Sequence, residues 1–295
     1  MREATWSRVG TDISAESSVD QILRAAGLDY TVIKQPIFLE NGIQIPDKMA
    51  TVKEETGKYI GVVSNKYQIY QNDEAFGFID SIPDIQFVKA GETHTGMVYI
   101  IGKLPSVHVL NDEFTPHVIF QTSHNGLFQI RATICPLRMV CQNQFALSFA
   151  RMRNTISIHH SSQMRGKVAQ AKELLADTAV YMNGFTNTAE ELAMLKITDS
   201  DFYSICDAFF DSTKEITERQ KKAISTNKEL VRACYRADDN ANFVGTAWGV
   251  VNAFTDFETH KPRKQTKTAS DSAFTAVTFD TTTLAKLMSI VRERV

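Results

Sequence analysis

The sequence has few cysteines and no long apolar run. Four cysteines in 295 residues are too sparse for a disulfide framework, so we expect free thiols in a reducing compartment. No stretch approaches the roughly 18 to 20 apolar residues of a membrane span, and the first residues lack the apolar core of a secretory signal. These absences predict a cytoplasmic protein without a membrane partner. With 43% hydrophobic residues, the chain can bury a large core.

Carboxylates are missing from one long segment. No Asp or Glu occurs from Phe114 to Lys172, where seven Lys and Arg residues give a charge of +7. The flanks are acidic, with net charges of -6 for residues 1–113 and -3 for residues 173–295. An acid near a polyanion repels it and weakens binding, so the segregation favours a surface for phosphate. The alternative is that the acidic flanks fold back and pair with these arginines.

The common catalytic signatures are absent from the sequence. Neither the GxxxxGK[ST] nor the GxGxxG phosphate loop occurs, and HExxH and GxSxG are missing too, which disfavours nucleotide hydrolysis and two hydrolase classes. Cys135, Cys141, His159 and His160 match no standard zinc spacing. We therefore expect no catalytic residue, no metal and no cofactor. Scattered acids leave a metal-dependent enzyme as a minor alternative.

Hydrophobic periodicity predicts an α+β fold. Alternating strands and short helices over residues 1–160 indicate a β-rich domain built as an antiparallel meander, and the period becomes helical over residues 161–295. Hairpin turns are predicted at Asn41-Gly42 and Asn125-Gly126. Separate short strands are expected at 43–45 and 48–53, and a helix across 139–150.

Capping residues and apolar spacing place the individual helices. Ser17 or Ser18 is expected to cap a first helix, Asn72 a second, and Thr198 or Asp199 a third that runs to Phe210. A narrow seven-residue apolar repeat follows, and it predicts a helix that buries one stripe. Its members are Ile216, Ala223, Leu230 and Cys234.

Two predicted strands each carry arginine on a polar face. In the strand after Asn125-Gly126, Arg131 alternates with buried positions, and Arg153 does so in a strand near residues 153–159. If both strands share a sheet, their polar residues form a positive groove for a nucleic-acid backbone. The alternative is an ordinary solvated sheet face. The polar residues are Gln129, Arg131, Thr133, Arg153, Thr155, Ser157 and His159.

Further cations and aromatic residues extend this candidate interface. A polar loop at residues 260–268 carries four cations and can order on phosphate. Phe128 or Phe145 is a candidate stacking residue, although the alternation of Phe128 with core positions favours a place in the core. The expected nucleic-acid contacts are Arg131, Arg138, Arg151, Arg153, Arg165, Lys167, His159, Lys261, Arg263 and Lys264.

A later helix aligns an aromatic residue with two polar ones. Trp248, Asn252 and Asp256 follow at intervals of four, so they lie one above another. Such a stripe either recognises a ligand or, more commonly, docks the helix on its neighbours while its polar groups satisfy buried backbone.

Four sequence runs resemble a known family. They are VVSNKYQIYQNDEAFGFID (62–80), TSHNG (122–126), PLRMVCQNQ (136–144) and GTAWGVVNAFTDF (245–257). The chain resembles the phage/plasmid-like proteins catalogued as domain of unknown function 932, with Asn125, Gly126, Cys141, Asn143, Trp248 and Asn252 as motif residues. The resemblance implies a phage or mobile-element gene expressed in a bacterial host cell, and it supplies no catalytic residues.

These observations lead to two functional expectations. The first is a non-enzymatic nucleic-acid-binding protein that binds or anneals single-stranded DNA in recombination or replication, without a nucleotide cofactor. A loose similarity to phage single-strand annealing proteins implies a homo-oligomer. The second is a protein-interaction module that blocks or recruits a host protein, in counter-defence or host takeover.

Overall fold

Two antiparallel sheets and a set of helices make up the structure. It is a computed structural model that describes residues 9–127, 130–138, 143–144, 155–157, 164–211, 216–260 and 281–294. The strands are β1 (Thr11–Asp12), β2 (Val32–Phe38), β3 (Gln44–Lys53), β4 (Tyr59–Ser64), β5 (Gln86–Glu92), β6 (Met97–Lys103), β7 (Val107–Val109), β8 (Asp112–Ser123), β9 (Arg131–Arg138), β10 (Asn143–Gln144) and β11 (Thr155–Ser157).

The helices dominate the second half of the described chain. Two short helices lie among the first strands, and five longer ones follow the sheets, so the predicted α+β class is confirmed. The helices are α1 (Val19–Ala25), α2 (Asn72–Phe76), α3 (Met164–Met194), α4 (Asp199–Phe210), α5 (Glu218–Tyr235), α6 (Ala247–His260) and α7 (Thr281–Arg294).

The small sheet contains β2, β3 and β4 in sequence order. Its first hairpin turns at Asn41-Gly42 as predicted, and Gly42 adopts a φ of 81°, which a residue with a Cβ rarely adopts. The two short strands expected at 43–45 and 48–53 are one continuous strand, β3. The prediction was wrong because the chain passes through Pro46 and Asp47 with only a local distortion at Asp47, whose φ is 59°.

The large sheet has the order β1-β5-β6-β8-β9-β10, with β7 paired to β8 and β11 paired to β9. The predicted turn at Asn125-Gly126 connects β8 to β9. Strand β8 lies in the middle, and its residues from Phe114 to Ser123 are buried on both faces. The sheet is therefore covered on both sides along this strand.

The helix predicted across residues 139–150 is wrong where the chain is described. Asn143 and Gln144 form β10, which pairs with Arg138 and Leu137 of β9. The free edge of β9 offers backbone donors and acceptors there, and pairing with them overrides a local helical pattern.

Helix caps agree with the sequence in two of three cases. Ser18 caps α1, and Thr198 forms a reciprocal capping box with Asp201 at the start of α4. The expected cap Asn72 is the first residue inside α2, and Gln71 takes the capping position. Asn72 is instead buried, and its side chain bonds to residues far away in sequence.

The apolar side chains gather in three clusters. One lies among α3 to α7 and includes Phe114 and Ile134 of the large sheet. A second packs α1, α2 and Leu174 of α3 against one face of the sheet, and a third, smaller one lies around Tyr99. The first cluster contains residues from both sides of residue 160, and the two-domain division stays a prediction. No helix of the described residues is long and apolar enough to cross a membrane.

Candidate functional site

The two arginine-bearing strands lie side by side. Strand β11 pairs antiparallel with β9, which places Ser157 opposite Arg131 and Thr155 opposite Thr133. The two strands therefore share one sheet, as the predicted groove requires, and Arg131 and Thr133 of β9 lie on one face of it.

That face is less open than a solvated groove. Gln121 of β8 lies opposite Arg131, and Ile119 lies opposite Thr133; both are buried. The Nε of Arg131 donates a hydrogen bond to Oε1 of Gln121 at 2.7 Å. The guanidinium is half-buried, and this burial lowers the pKa of Arg131. Arg131 is therefore only partly open to solvent, because β8 lies next to β9 in the sheet and its side chains there are buried.

The other predicted contacts are placed only in part. Arg138 lies on β9 opposite Phe114, and Arg165 and Lys167 lie in the first turn of α3. The remaining predicted residues lie outside the described part of the chain: Arg151, Arg153, His159, Lys261, Arg263, Lys264, and the candidate stacking residues Phe128 and Phe145.

Helix α5 presents a basic surface that sequence analysis missed. Its C-terminal half packs against α4 and α6 through Val231, Cys234 and Tyr235, while most of its N-terminal half is exposed. Ala223, expected in a buried stripe, is exposed. Five exposed cations lie on the outer side of α5 and its C-cap, and we call this set the α5 basic face. They are Arg219, Lys221, Lys222, Arg232 and Arg236.

Some of these cations already have partners. Lys221 pairs with Glu218 at 2.7 Å, and Arg236 pairs with Asp199 at 2.8 Å. Arg232 lies over the ring of Tyr203, 4.7 Å from its centroid. Arg219 and Lys222 have no ion-pair partner among the described residues, and they are three apart, so both point to solvent on neighbouring turns. These two cations are therefore open to an approaching anion, although the exposed carboxylate of Glu218 lies next to them.

Summing charge along the chain concealed this surface. The segment 173–295 has a net charge of -3, yet residues 218–236 within it hold six Lys and Arg residues and two Glu residues. A charge count over this shorter window is the signal that finds the basic surface.

The motif residues Asn125 and Gly126 form a turn that docks on the small sheet. Nδ2 of Asn125 donates to the carbonyl of Thr95 at 2.8 Å, and Gly126 has a φ of 76°. Gly61 of β4 lies so close that a Cβ there would be 2.5 Å from Cβ of Asn125. These residues therefore fix one sheet against the other.

A buried polar cluster lies at this junction of the sheets. Nε2 of His124 donates to Oδ1 of Asn72 at 2.8 Å, and Nδ2 of Asn72 donates to the carbonyl of Leu28 at 2.7 Å. Burial lowers the pKa of His124 to about 4. The cluster joins elements from distant parts of the chain around a neutral imidazole.

An ion pair lies next to this cluster and acts electrostatically on His124. Nζ of Lys53 lies 2.7 Å from Oε2 of Glu92 and 3.4 Å from the ring centroid of Tyr30. Burial, followed by the charge of Glu92, raises the pKa of Tyr30 well above its usual range. The ion pair is largely shielded from water, so removing one partner leaves a poorly solvated charge.

Trp248 and Asn252 are buried in the helical part. Trp248 is fully buried and packs on Phe114 and Phe185, with ring centroids 6.3 and 5.8 Å away. Asn252 is also buried, and neither atom of its amide has a hydrogen-bond partner among the described residues. The docking interpretation is thereby supported for Trp248. Helix α6 packs against β10, which contains the motif residue Asn143.

Comparison with protein families decides the relationship of this chain. The family model described as "Domain of unknown function (DUF932)" matches residues 59–278, about three quarters of the sequence. The chain belongs to the DUF932 family. No curated protein and no solved structure matches it.

The DUF932 match spans motif runs that are distant in sequence and adjacent in the fold. The run 62–80 meets the run 122–126, because Asn72 bonds to His124 and the hydroxyl of Tyr67 donates to the carbonyl of Ser123 at 3.1 Å. The run 245–257 lies on α6 and meets the run 136–144 at β10. Cys141 of that run lies outside the described residues. The motif runs thus connect elements of the fold that are far apart in sequence, where the structure describes them.

The described residues contain no group of three or more His, Cys, Asp or Glu side chains placed to hold a metal ion. Cys135, Cys206 and Cys234 are free and buried. Burial raises the pKa of the Cys206 thiol to about 12, which keeps it protonated and unreactive.

Proposed function

We propose that this chain binds single-stranded nucleic acid through its phosphate backbone and needs no nucleotide cofactor. The observation that carries the proposal is the α5 basic face, with Arg219 and Lys222 exposed and without ion-pair partners among the described residues. Helix α5 is about 27 Å long, so it offers cations to several successive phosphates. When lysine and arginine neutralise phosphates, the cations condensed on the nucleic acid are released, and this release favours binding.

The sheet contributes a second basic element to the proposal. Arg131 shares a face with Thr133 of β9, and hydroxyl groups are common donors to phosphate oxygens. Arg131 is half-buried and bonded to Gln121, so it is better suited to positioning than to first contact. A charge reversal there also disturbs the β8–β9 pair, which makes it a poor test of binding.

The biological setting is part of the same proposal. We propose that the protein acts in recombination or replication of a phage or other mobile element, in the cytoplasm of a bacterial host. Annealing of complementary strands requires several copies on one strand, so a homo-oligomer is expected. The preference for single strands rests on this setting.

Fluorescence anisotropy of labelled DNA at several salt concentrations tests the proposal. The double variant Arg219→Glu plus Lys222→Glu should bind single-stranded DNA about tenfold or more weakly, and the slope of log affinity against log salt should become shallower by about 1.4, since each lost contact removes about 0.7. Lys58→Glu, an exposed change on the small sheet, is the control. Equal affinity of the double variant and the control would refute a role for α5.

A host-protein partner is the second candidate function, and one feature favours it. Strand β3 pairs with β4 only from Lys48 onward. The part of β3 before Lys48 pairs with β2 alone, so the end of the β2–β3 hairpin projects as two strands. Its tip exposes Phe38 (55%), Leu39 (50%) and Ile43 (59%). Exposed apolar groups gathered at a tip are typical of protein contacts.

A nuclease-treated pull-down separates this candidate from DNA binding. If the hairpin binds a host protein, the wild-type chain retains one stoichiometric partner after nuclease treatment, and the variant Phe38→Ser plus Ile43→Ser loses it. Retention of the same partner by that variant, or no partner with either chain, would contradict this candidate.

A further inference from the structure

A cleft lies between α4, α5 and α7, beside the α5 basic face. Its volume is about 470 Å³, within the range of small-ligand sites. Lys228 of α5 lines it, and Arg294 at the end of α7 lines it from another helix. On α5, Lys221 and Arg232 of the basic face lie next to Ile224 and Lys228 of the cleft, at spacings of three and four residues. A strand that contacts Lys221 and Arg232 therefore passes the opening of this cleft.

The cleft has two chemically different linings. Phe210 and Ile224 supply apolar surface, and Phe210 is held in place by ring contacts with Phe254 and Phe257. Asp207 and Asp211 supply carboxylate oxygens that accept hydrogen bonds. A planar ligand with an apolar face and donor groups on its edge matches both linings.

The carboxylates also decide which part of a nucleotide enters. Asp207 is paired with Lys228 at 2.8 Å, while Asp211 has no ion-pair partner among the described residues. A phosphate group next to Asp211 is repelled, whereas an exocyclic amino group is attracted. Adenine, cytosine and guanine carry such an amino group and thymine does not.

We infer that this cleft takes one unpaired nucleobase of the bound strand and prefers bases with an exocyclic amino group. The inference rests on the proposed function, because the strand on α5 delivers the base. The base stacks on the apolar lining and donates its amino hydrogens to Asp211, while Lys228 and Arg294 lie near the flanking phosphates. Stacking of this kind tolerates any base, so the carboxylate supplies the preference.

Homopolymer binding tests the inference with the full chain. Anisotropy is measured for oligo-dC, oligo-dA and oligo-dT of equal length at one low salt concentration. Oligo-dC and oligo-dA should bind about tenfold more tightly than oligo-dT, the effect of one hydrogen bond to a charged acceptor. Asp211→Asn should reduce this ratio severalfold. The Asn side chain is uncharged, and its NH2 group donates where the carboxylate has a second accepting oxygen.

A matched change separates the cleft from general charge effects. Asp238→Asn removes the same charge from an exposed turn outside the cleft and should leave the ratio unchanged. Equal affinities for all three oligomers, or a preference that persists in Asp211→Asn, would overturn the cleft inference and leave the proposed function standing. Absence of binding by every oligomer would overturn both.

Discussion

Two buried histidines make the stability of the protein depend on pH. His117 and His124 are nearly inaccessible to solvent, and burial lowers the pKa of each to about 4 from an ordinary value of 6.5. Two smaller effects act on His117: the hydrogen bond to the Thr115 carbonyl raises its pKa, and the charge of Lys103 lowers it. Near His124, Glu92 favours the charged ring and Lys53 opposes it.

The direction of the pH dependence follows from which state, folded or unfolded, binds more protons. Because the folded pKa values are lowered, the unfolded chain takes up protons first as the pH falls below 6.5. The folded state is therefore fully favoured above about pH 6.5 and loses stability down to about pH 4. At pH 5 the loss is about 2 kcal/mol for each histidine, or about 4 kcal/mol for both, from the linkage relation.

Urea unfolding followed by circular dichroism at pH 7.5 and pH 5.0 measures this loss. His117 donates from Nδ1 to the carbonyl of Thr115 at 3.0 Å, and His124 donates from Nε2 to Asn72. Asn and Gln place an amide nitrogen near these two positions, so His117→Asn plus His124→Gln retains the bonds without the titration. The double variant should lose about 4 kcal/mol less than the wild type between the two pH values. An equal loss in both proteins would refute the assignment.

Three further substitutions test the packing of the motif residues, each by urea unfolding at pH 7.5. Gly249→Ala should destabilise by about 1–3 kcal/mol, because a Cβ there would lie 2.1 Å from the carbonyl oxygen of Phe243; an unchanged midpoint would contradict this contact. Trp248→Ala should cost about 3–5 kcal/mol through the cavity it leaves beside Phe114, and a loss below 1 kcal/mol would show that the site is not packed as described. Asn72→Ala should cost about 1–3 kcal/mol, since His124 and the carbonyl of Leu28 both lose their partner; a neutral effect would mean that the cluster does not hold the sheets together.

Local signals predicted most of the strands and helices. The turns at Asn41-Gly42 and Asn125-Gly126 need left-handed backbone, and the sequence shows that need directly. Thr198 with Asp201 is equally local, and it sets the start of α4. Such features are visible because all the interacting groups lie within a few residues.

The errors arose where distant residues decide the structure. Strand β10 exists because β9 offers a free edge, and nothing within residues 139–150 states this. Asn is a common capping residue, but the side chain of Asn72 is hydrogen-bonded to His124, which is 52 residues away in sequence. Only the appearance of both residues in motif runs pointed to a link between them.

The candidate site was missed for a geometric reason. The absence of carboxylates drew attention to residues 114–172, and Arg131 of that segment proved half-buried. The α5 basic face lies in a segment of negative net charge, and it emerges when residues 218–236 are counted by themselves. Exposure, which composition does not reveal, determines which cations can meet an anion.

Helix α3 has a consequence for how the chain acquires its structure during synthesis. It places Leu174 in the cluster under the large sheet and Phe185 in the cluster of the helices, along a rod of about 46 Å. Phe114 of β8 packs on Phe185 and Trp248, which leave the ribosome long after it does. A nascent chain that ends before α6 therefore carries an uncovered apolar sheet face, and early termination should yield fragments that aggregate or recruit chaperones.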